Sequence, residues 1–303
     1  MVRAVKIVEL ALEVHGAPVY VFHEIVHNRH VVDNLKAQGA VFVDSLADLT
    51  PKSVVIFSAH GVSNAIVQQA RAMNLEIIDA TCPLVAKVHL QAQRYSRKGY
   101  EIVIIGHPGH DEVEGTMGSV DGPVHIVSSP AEAMAIEVSD PQRVAYVTQT
   151  TLSMDDASEV IAALRKRFPA IEGPDLDDIC YATQNRQTAL RQLTKEIDLL
   201  LVVGARNSSN SIRLREVGEQ HGVTAHLIHD ESEIEASWLV GADKVGVTAG
   251  ASAPEVLVQR VLERLRRHGV TTTRELEGVR ETITFSLPRT LLDKRNERSG
   301  LVT

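Results

Sequence analysis

Short apolar runs alternate with stretches whose apolar residues recur at helical spacing, and polar turns separate the two along most of the chain. Residues 19–22, 40–43, 54–57, 101–105, 144–147, 199–203 and 245–247 are apolar enough to read as strands. A further apolar run, Leu75, Ile77 and Ile78, leads toward Cys82. Residues 2–14, 31–38, 63–73, 155–168, 184–193 and 254–268 carry the helical period. Gly39 closes the second of these helices, Ser63 caps the third, Pro169 ends the fourth and Pro254 suits the first turn of the last. Strands that alternate with helices predict an α/β fold with mostly parallel sheets and right-handed crossovers. Residues 282–287 read as one more strand, followed by a charged tail.

The pattern repeats. Cys82 is followed by a helix, a strand and the polar turn Gly106-His107-Pro108-Gly109-His110-Asp111-Glu112. Cys180 is followed by a helix, a strand and the turn Gly204-Ala205-Arg206-Asn207-Ser208-Ser209-Asn210. Residues 82 and 110 are 28 apart, as are residues 180 and 208. Each copy continues into a second strand and polar turn, Thr148-Gln149-Thr150-Thr151 in one and Thr248-Ala249-Gly250-Ala251-Ser252 in the other. The N-terminal residues form a third copy, with turns His23-Glu24-Ile25-Val26-His27-Asn28 and Ser58-Ala59-His60-Gly61-Val62-Ser63. Counting back the same interval from His27 places its leading cysteine just before Met1. Long-period repetition of this kind is a fold-level signal. It predicts three similar α/β lobes, at residues 1–81, 82–176 and 177–269, with a tail at 270–303.

Composition narrows the function. A formal net charge of −8 over 303 residues argues against nucleic-acid binding by bulk charge. The apolar runs are too short to span a bilayer. Lys6, Glu9 and Glu13 interrupt the N-terminal segment, which does not read as a signal peptide. Two distant cysteines and no export signal predict a cytoplasmic protein.

Parallel sheets bind ligands where strands end and helices begin. His27, His60, His110, Thr150, Ser208 and Ser252 all fall at such turns, so three facing lobes would bring them to one pocket. Asn207-Ser208-Ser209-Asn210 at a helix start suits an anion such as phosphate, and Ala251-Ser252-Ala253-Pro254 reads as a second cap of the same sort. Glu112 lies beside these histidines with Gly109 and Gly115 for neighbours; a carboxyl enclosed there would hold a proton and deliver it. Thr150 would relay that proton or hold a hydroxyl. His15, His30, His125, His221, His226, His229 and His268 read as solvated loop residues.

Eight ordered stretches carry a family resemblance. They are residues 23–28 (HEIVHN), 57–63 (FSAHGVS), 79–85 (DATCPLV), 106–116 (GHPGHDEVEGT), 148–153 (TQTTLS), 177–183 (DDICYAT), 207–211 (NSSNS) and 247–254 (VTAGASAP). Together they resemble the 4-hydroxy-3-methylbut-2-enyl diphosphate reductases, which catalyse the last step of the methylerythritol phosphate route to isoprenoids. The resemblance implies a trefoil around a [4Fe–4S] cluster held by three cysteines, with one iron open to the substrate hydroxyl. Cys82 and Cys180 match two of the ligands. The diphosphate contacts carry over to His27, His60, His110, Ser208, Ser209, Asn210 and Ser252, the proton donor to Glu112, and the residue that orients the hydroxyl to Thr150. The implied partners are an allylic diphosphate and an electron donor such as ferredoxin or flavodoxin.

The chain departs from the family at its front, because it starts at the helix that follows the family's first cysteine turn. A start assigned too late, at an internal methionine, is the expectation. As written the chain lacks one cluster ligand, and two thiolates hold a cubane poorly. Two other readings stand beside the reductase. One is a zinc hydrolase of a phosphorylated substrate, using His107, His110 and Glu112 or Cys82. The other is an inactive diphosphate-binding form.

Overall fold

The structure, a computed structural model, describes residues 1–276, 278–279 and 281–298. In chain order the elements are α1 (Val2–His15), β1 (Val19–Phe22), α2 (Arg29–Ala37), β2 (Ala40–Val43), β3 (Val54–Phe57), α3 (Asn64–Ala72), β4 (Glu76–Asp79), α4 (Pro83–Arg97), β5 (Glu101–Ile105) and α5 (Asp111–Met117). They continue with β6 (Val124–Val127), α6 (Pro130–Ala135), β7 (Val144–Thr148), α7 (Met154–Arg167), α8 (Tyr181–Leu193), β8 (Leu199–Val203), α9 (Ser209–Gln220), β9 (Thr224–Ile228), β10 (Val245–Ala249), α10 (Glu255–Arg267) and α11 (Arg289–Arg298).

The chain forms two compact units, one of residues 1–26, 32–179 and the C-terminal segment from 284, the other of residues 27–31 and 180–283. The first unit holds two sheets, ordered β2-β1-β3-β4 and β6-β5-β7. The second holds one, ordered β10-β8-β9. Every strand pairing in the three sheets is parallel. The sheets share one winding: the first strand lies inside, the second beside it on one flank, and the third on the other.

The inner strands were visible in the sequence because both of their faces are covered. In β5, Ile102 and Ile104 pack with Val88 and Ala92 of α4, whereas Val103 and Ile105 pack with Val160, Ile161 and Leu164 of α7. In β8, Leu200 and Val202 meet Leu190, Leu214 and Val217, whereas Leu199, Leu201 and Val203 meet Leu257, Val261 and Leu265 of α10. The two-residue period of a strand divides an unbroken apolar run between two cores.

Two edge strands, β6 and β9, were not visible. β6 and β9 carry His125 and His226 within half-exposed segments. These histidines were expected in solvated loops, and the structure corrects that. His125 Nε2 lies 3.0 Å from Glu101 Oε2, and the His226 ring stacks on Trp238 with centroids 3.8 Å apart.

The strand expected at 282–287 does not form. Residues 281–288 join no sheet, and Arg3 Nε donates to the Ser286 carbonyl at 2.8 Å. The charged tail that follows is helical up to Arg298, whose guanidinium donates to the Glu13 and Val14 carbonyls at the end of α1. A cation there satisfies carbonyls that lack an intrahelical partner. Residues 299–303 of the expected tail lie outside the described residues, as do 277 and 280.

Candidate functional site

In each sheet the first and third strands run side by side, and the chain leaves their carboxyl ends toward opposite flanks. That reversal opens a crevice where parallel sheets take ligands. The six polar turns of the sequence are the ones that leave these strands, β1 and β3, β5 and β7, β8 and β10.

In the first unit, α5 and the turn after β3 approach closely. A Cβ on Gly115 would sit 3.1 Å from the carbonyl of Gly61, and one on Gly118 would overlap the Ser63 side chain. Asn64 clamps the contact, its N–H donating to Gly118 O at 2.8 Å and its amide Nδ2 to Ser119 O at 3.0 Å. The approach brings His60 and His110 edge to face, with ring centroids 5.9 Å apart. His110 is the N-cap of α5, and its Nδ1 accepts the Glu112 N–H at 3.1 Å.

Glu112 is only 3% exposed. Its carboxylate accepts the Thr150 N–H at 2.6 Å on Oε1 and the Thr150 hydroxyl at 3.0 Å on Oε2. Thr150 thus holds the acid at two points. Cys82 joins this group through its backbone, because its N–H donates to the Ala59 carbonyl, one residue before His60, at 3.0 Å.

Asp111 escaped the sequence reading. Its carboxylate lies 3.2 Å from His23 Nδ1 and 3.8 Å from His60 Nδ1. The hydrogen bond to Asp111 holds the His23 pKa above its usual value, although burial opposes it. A contact spanning 88 residues leaves no local trace in a sequence.

The second unit assembles the anion-type residues. Ser208 caps α9, its Oγ accepting the Ser211 N–H, and the Ser211 hydroxyl donates back to Ser208 at 3.1 Å. Asn207 Nδ2 donates to His27 Nδ1 at 3.4 Å. Ser252 Oγ donates to the His27 carbonyl at 3.0 Å. Ser252 therefore does not cap the next helix as expected; Pro254 takes that position and Ser252 fixes His27 instead. Ser209 and Asn210 open α9 and are buried. Both polar atoms of the Asn210 amide are enclosed without a hydrogen-bond partner. An unmet amide at a helix start is a place for a polar ligand.

The cysteines occupy equivalent places. Cys82 is the N-cap of α4 and Cys180 the N-cap of α8, and neither thiol caps its helix. Neither is in a disulfide. Two half-exposed thiols at matching helix starts suit iron ligation, and they are the two cysteines of the chain.

A family model described as LytB protein matches residues 1–266. The chain belongs to the LytB family. It is 54% identical to the 4-hydroxy-3-methylbut-2-enyl diphosphate reductase of Acidithiobacillus ferrooxidans over 299 residues, covering 98% of this chain and 95% of that one. It is 57% identical to the enzyme of the same name from Aromatoleum aromaticum, covering 95% and 93%. Among solved structures, the E-1-hydroxy-2-methyl-but-2-enyl-4-diphosphate reductase of Plasmodium falciparum superposes with a TM-score of 0.94 at 36% identity, covering 98% of this chain and 94% of that one. The expected α/β class with three parallel sheets, and the expected family, are borne out.

The zinc-hydrolase alternative falls with these names, and the geometry agrees. His110 Nδ1 is engaged by a backbone N–H, and Thr150 engages both oxygens of Glu112. Among the described residues, His107, His110, Glu112 and Cys82 form no shared ligand group. No helix of the described residues is long and apolar enough to cross a membrane.

Proposed function

We propose that this LytB-family chain is an oxidoreductase that converts 4-hydroxy-3-methylbut-2-enyl diphosphate to isopentenyl and dimethylallyl diphosphates. The reaction breaks one allylic C–O bond. Two electrons and two protons enter, one proton leaves with the hydroxyl as water, and the other ends on carbon. The observation that carries the reading is the enclosed Glu112 carboxyl gripped twice by Thr150.

Cys82 and Cys180 would hold two irons of a [4Fe–4S] cluster, which when bound supplies electrons and a Lewis-acidic iron for the hydroxyl. The chain's own side chains do the rest. Thr150 orients the hydroxyl and fixes Glu112. Glu112 delivers the proton to the departing oxygen, where a positioned acid contributes a factor of roughly 10²–10⁴. His27, His60, His110, Ser208, Ser209, Asn210 and Ser252 take the diphosphate through hydrogen bonds, and the N-terminus of α9 adds its partial positive charge. Asn210 then gains the partners it lacks in the protein alone. The electron donor in this reading is a ferredoxin or a flavodoxin, and the enzyme works in the cytoplasm without nucleic acid or membrane.

The test is the Glu112→Gln variant, purified and assayed without oxygen beside the unsubstituted protein. The amide keeps the shape, and the Thr150 hydroxyl can turn to accept from it. The expected result is a fall in kcat of about 10²-fold or more with KM nearly unchanged. Equal kcat values would remove Glu112 from the chemistry. Iron and sulfide content, lost when Cys82 or Cys180 becomes Ser, tests the ligands separately.

A further inference from the structure

The outer face of α4 has no role in the chemistry above. Lys87, Leu90 and Arg94 follow one another along it at three- and four-residue spacing, and all three are exposed, Leu90 by 61%. With Arg3, Thr81 and Pro83 they line an open groove of about 540 Å³. Three cations meet an apolar side chain there, and no carboxylate is among the residues that line it. This is a local reversal in a chain of net charge −8.

Two of the cations are held in place. The Arg3 guanidinium donates to the carbonyls of Ala80, Thr81 and Ser286 at 3.3, 3.1 and 2.8 Å. Lys87 Nζ donates to the Asp177 carbonyl at 3.0 Å and lies 3.4 Å from Asp178 Oδ1. Ordered cations lose little freedom when a partner docks. The groove also ends at one of the site's own residues, since Thr81 and Pro83 flank Cys82.

We propose that this groove is the docking surface for a small acidic electron-carrier protein with a low-potential one-electron centre. The proposal rests on the reductase reading, which requires electrons from outside the chain. A carrier seated there lies beside a proposed cluster ligand. Two successive encounters each oxidise one carrier by one electron, and the pair so delivered is consumed when the C–O bond opens. Cations steer the acidic partner, and Leu90 supplies the central apolar anchor. An interface of this kind is small and short-lived, as electron-transfer encounters are.

The test uses the iron-loaded protein and an acidic plant-type [2Fe–2S] ferredoxin as probe, with Arg94→Glu and Leu90→Asp as variants. Arg266→Glu, an exposed reversal on α10, controls for bulk charge. Ferredoxin binding is measured by calorimetry at several salt concentrations, and turnover is measured with either ferredoxin or reduced methyl viologen. The expected result is about tenfold weaker ferredoxin binding and a KM for ferredoxin raised by about as much in both variants, with the viologen rate within about twofold and the control unchanged. If viologen drives turnover but ferredoxin binding ignores both substitutions, or the control weakens it equally, the docking surface is refuted alone. If viologen drives no dehydroxylation in the unsubstituted protein, the reductase reading fails and the proposal falls with it.

Discussion

His89 lies on α4, against the turn that carries His60. A Cβ on Gly61 would meet its Cε1 at 2.8 Å. Its Nε2 is enclosed with no hydrogen-bond partner. Burial pushes its pKa down from 6.5 to about 4, and Asp79 opposes the shift only in part. The folded protein therefore keeps this ring neutral over a range in which the unfolded chain protonates it. Because the unfolded state binds more protons there, stability is present above pH 6.5 and is lost as pH falls toward 4. At about 1.4 kcal/mol per pH unit the whole window is worth on the order of 3 kcal/mol, of which about 2 is lost between pH ~7 and pH ~5. His89→Leu keeps the volume and removes the titration. Urea unfolding of both proteins across that range, without oxygen, is expected to show the variant losing about 2 kcal/mol less than the parent on acidification. Parallel stability–pH curves would mean that the ring is hydrated or finds a partner in solution.

Other substitutions test the packing behind the site. Gly115→Ala gains about 1 kcal/mol of helix propensity but drives a methyl into the Gly61 carbonyl, for a net loss of about 1 kcal/mol in denaturant unfolding. Gly118→Ala, aimed at the Ser63 side chain, is expected to cost more. Lys87→Met leaves Asp178, 2% exposed and with its carboxyl pKa already raised by burial, without its cation. This costs on the order of 1–3 kcal/mol, and a double-mutant cycle with Asp178→Asn should recover most of it.

The sequence revealed elements whose two faces are buried and residues whose role is local. β5 and β8 are unbroken apolar runs, and Ser63 caps α3 through the Ile66 N–H as its spacing indicates. β6 and β9 were lost because each is short, half-exposed and interrupted by a histidine, so its apolar residues form no continuous run. α5 was hidden for a different reason. Its seven residues carry Gly115, and Gly118 follows as the C-cap; both serve packing, not helix propensity. Residues 282–287 alternate as a strand would, yet no sheet edge receives them. Of the site, the polar turns were legible because crevice residues follow their strands directly. The bonds that fix them, Thr150 to Glu112 and Ser252 to the His27 carbonyl, join residues 38 and 225 positions apart and are set by tertiary packing.

The cap that His110 provides for α5 limits what its ring can offer. Since Nδ1 is spent on the Glu112 N–H, the hydrogen of the neutral imidazole sits on Nε2. Adding a second proton would break the cap at the first turn of the helix that carries Glu112. In this tautomer an anion meeting the ring receives one directed donor, at Nε2. Acidifying the ring would not tighten that grip; it would unseat the acid two residues away.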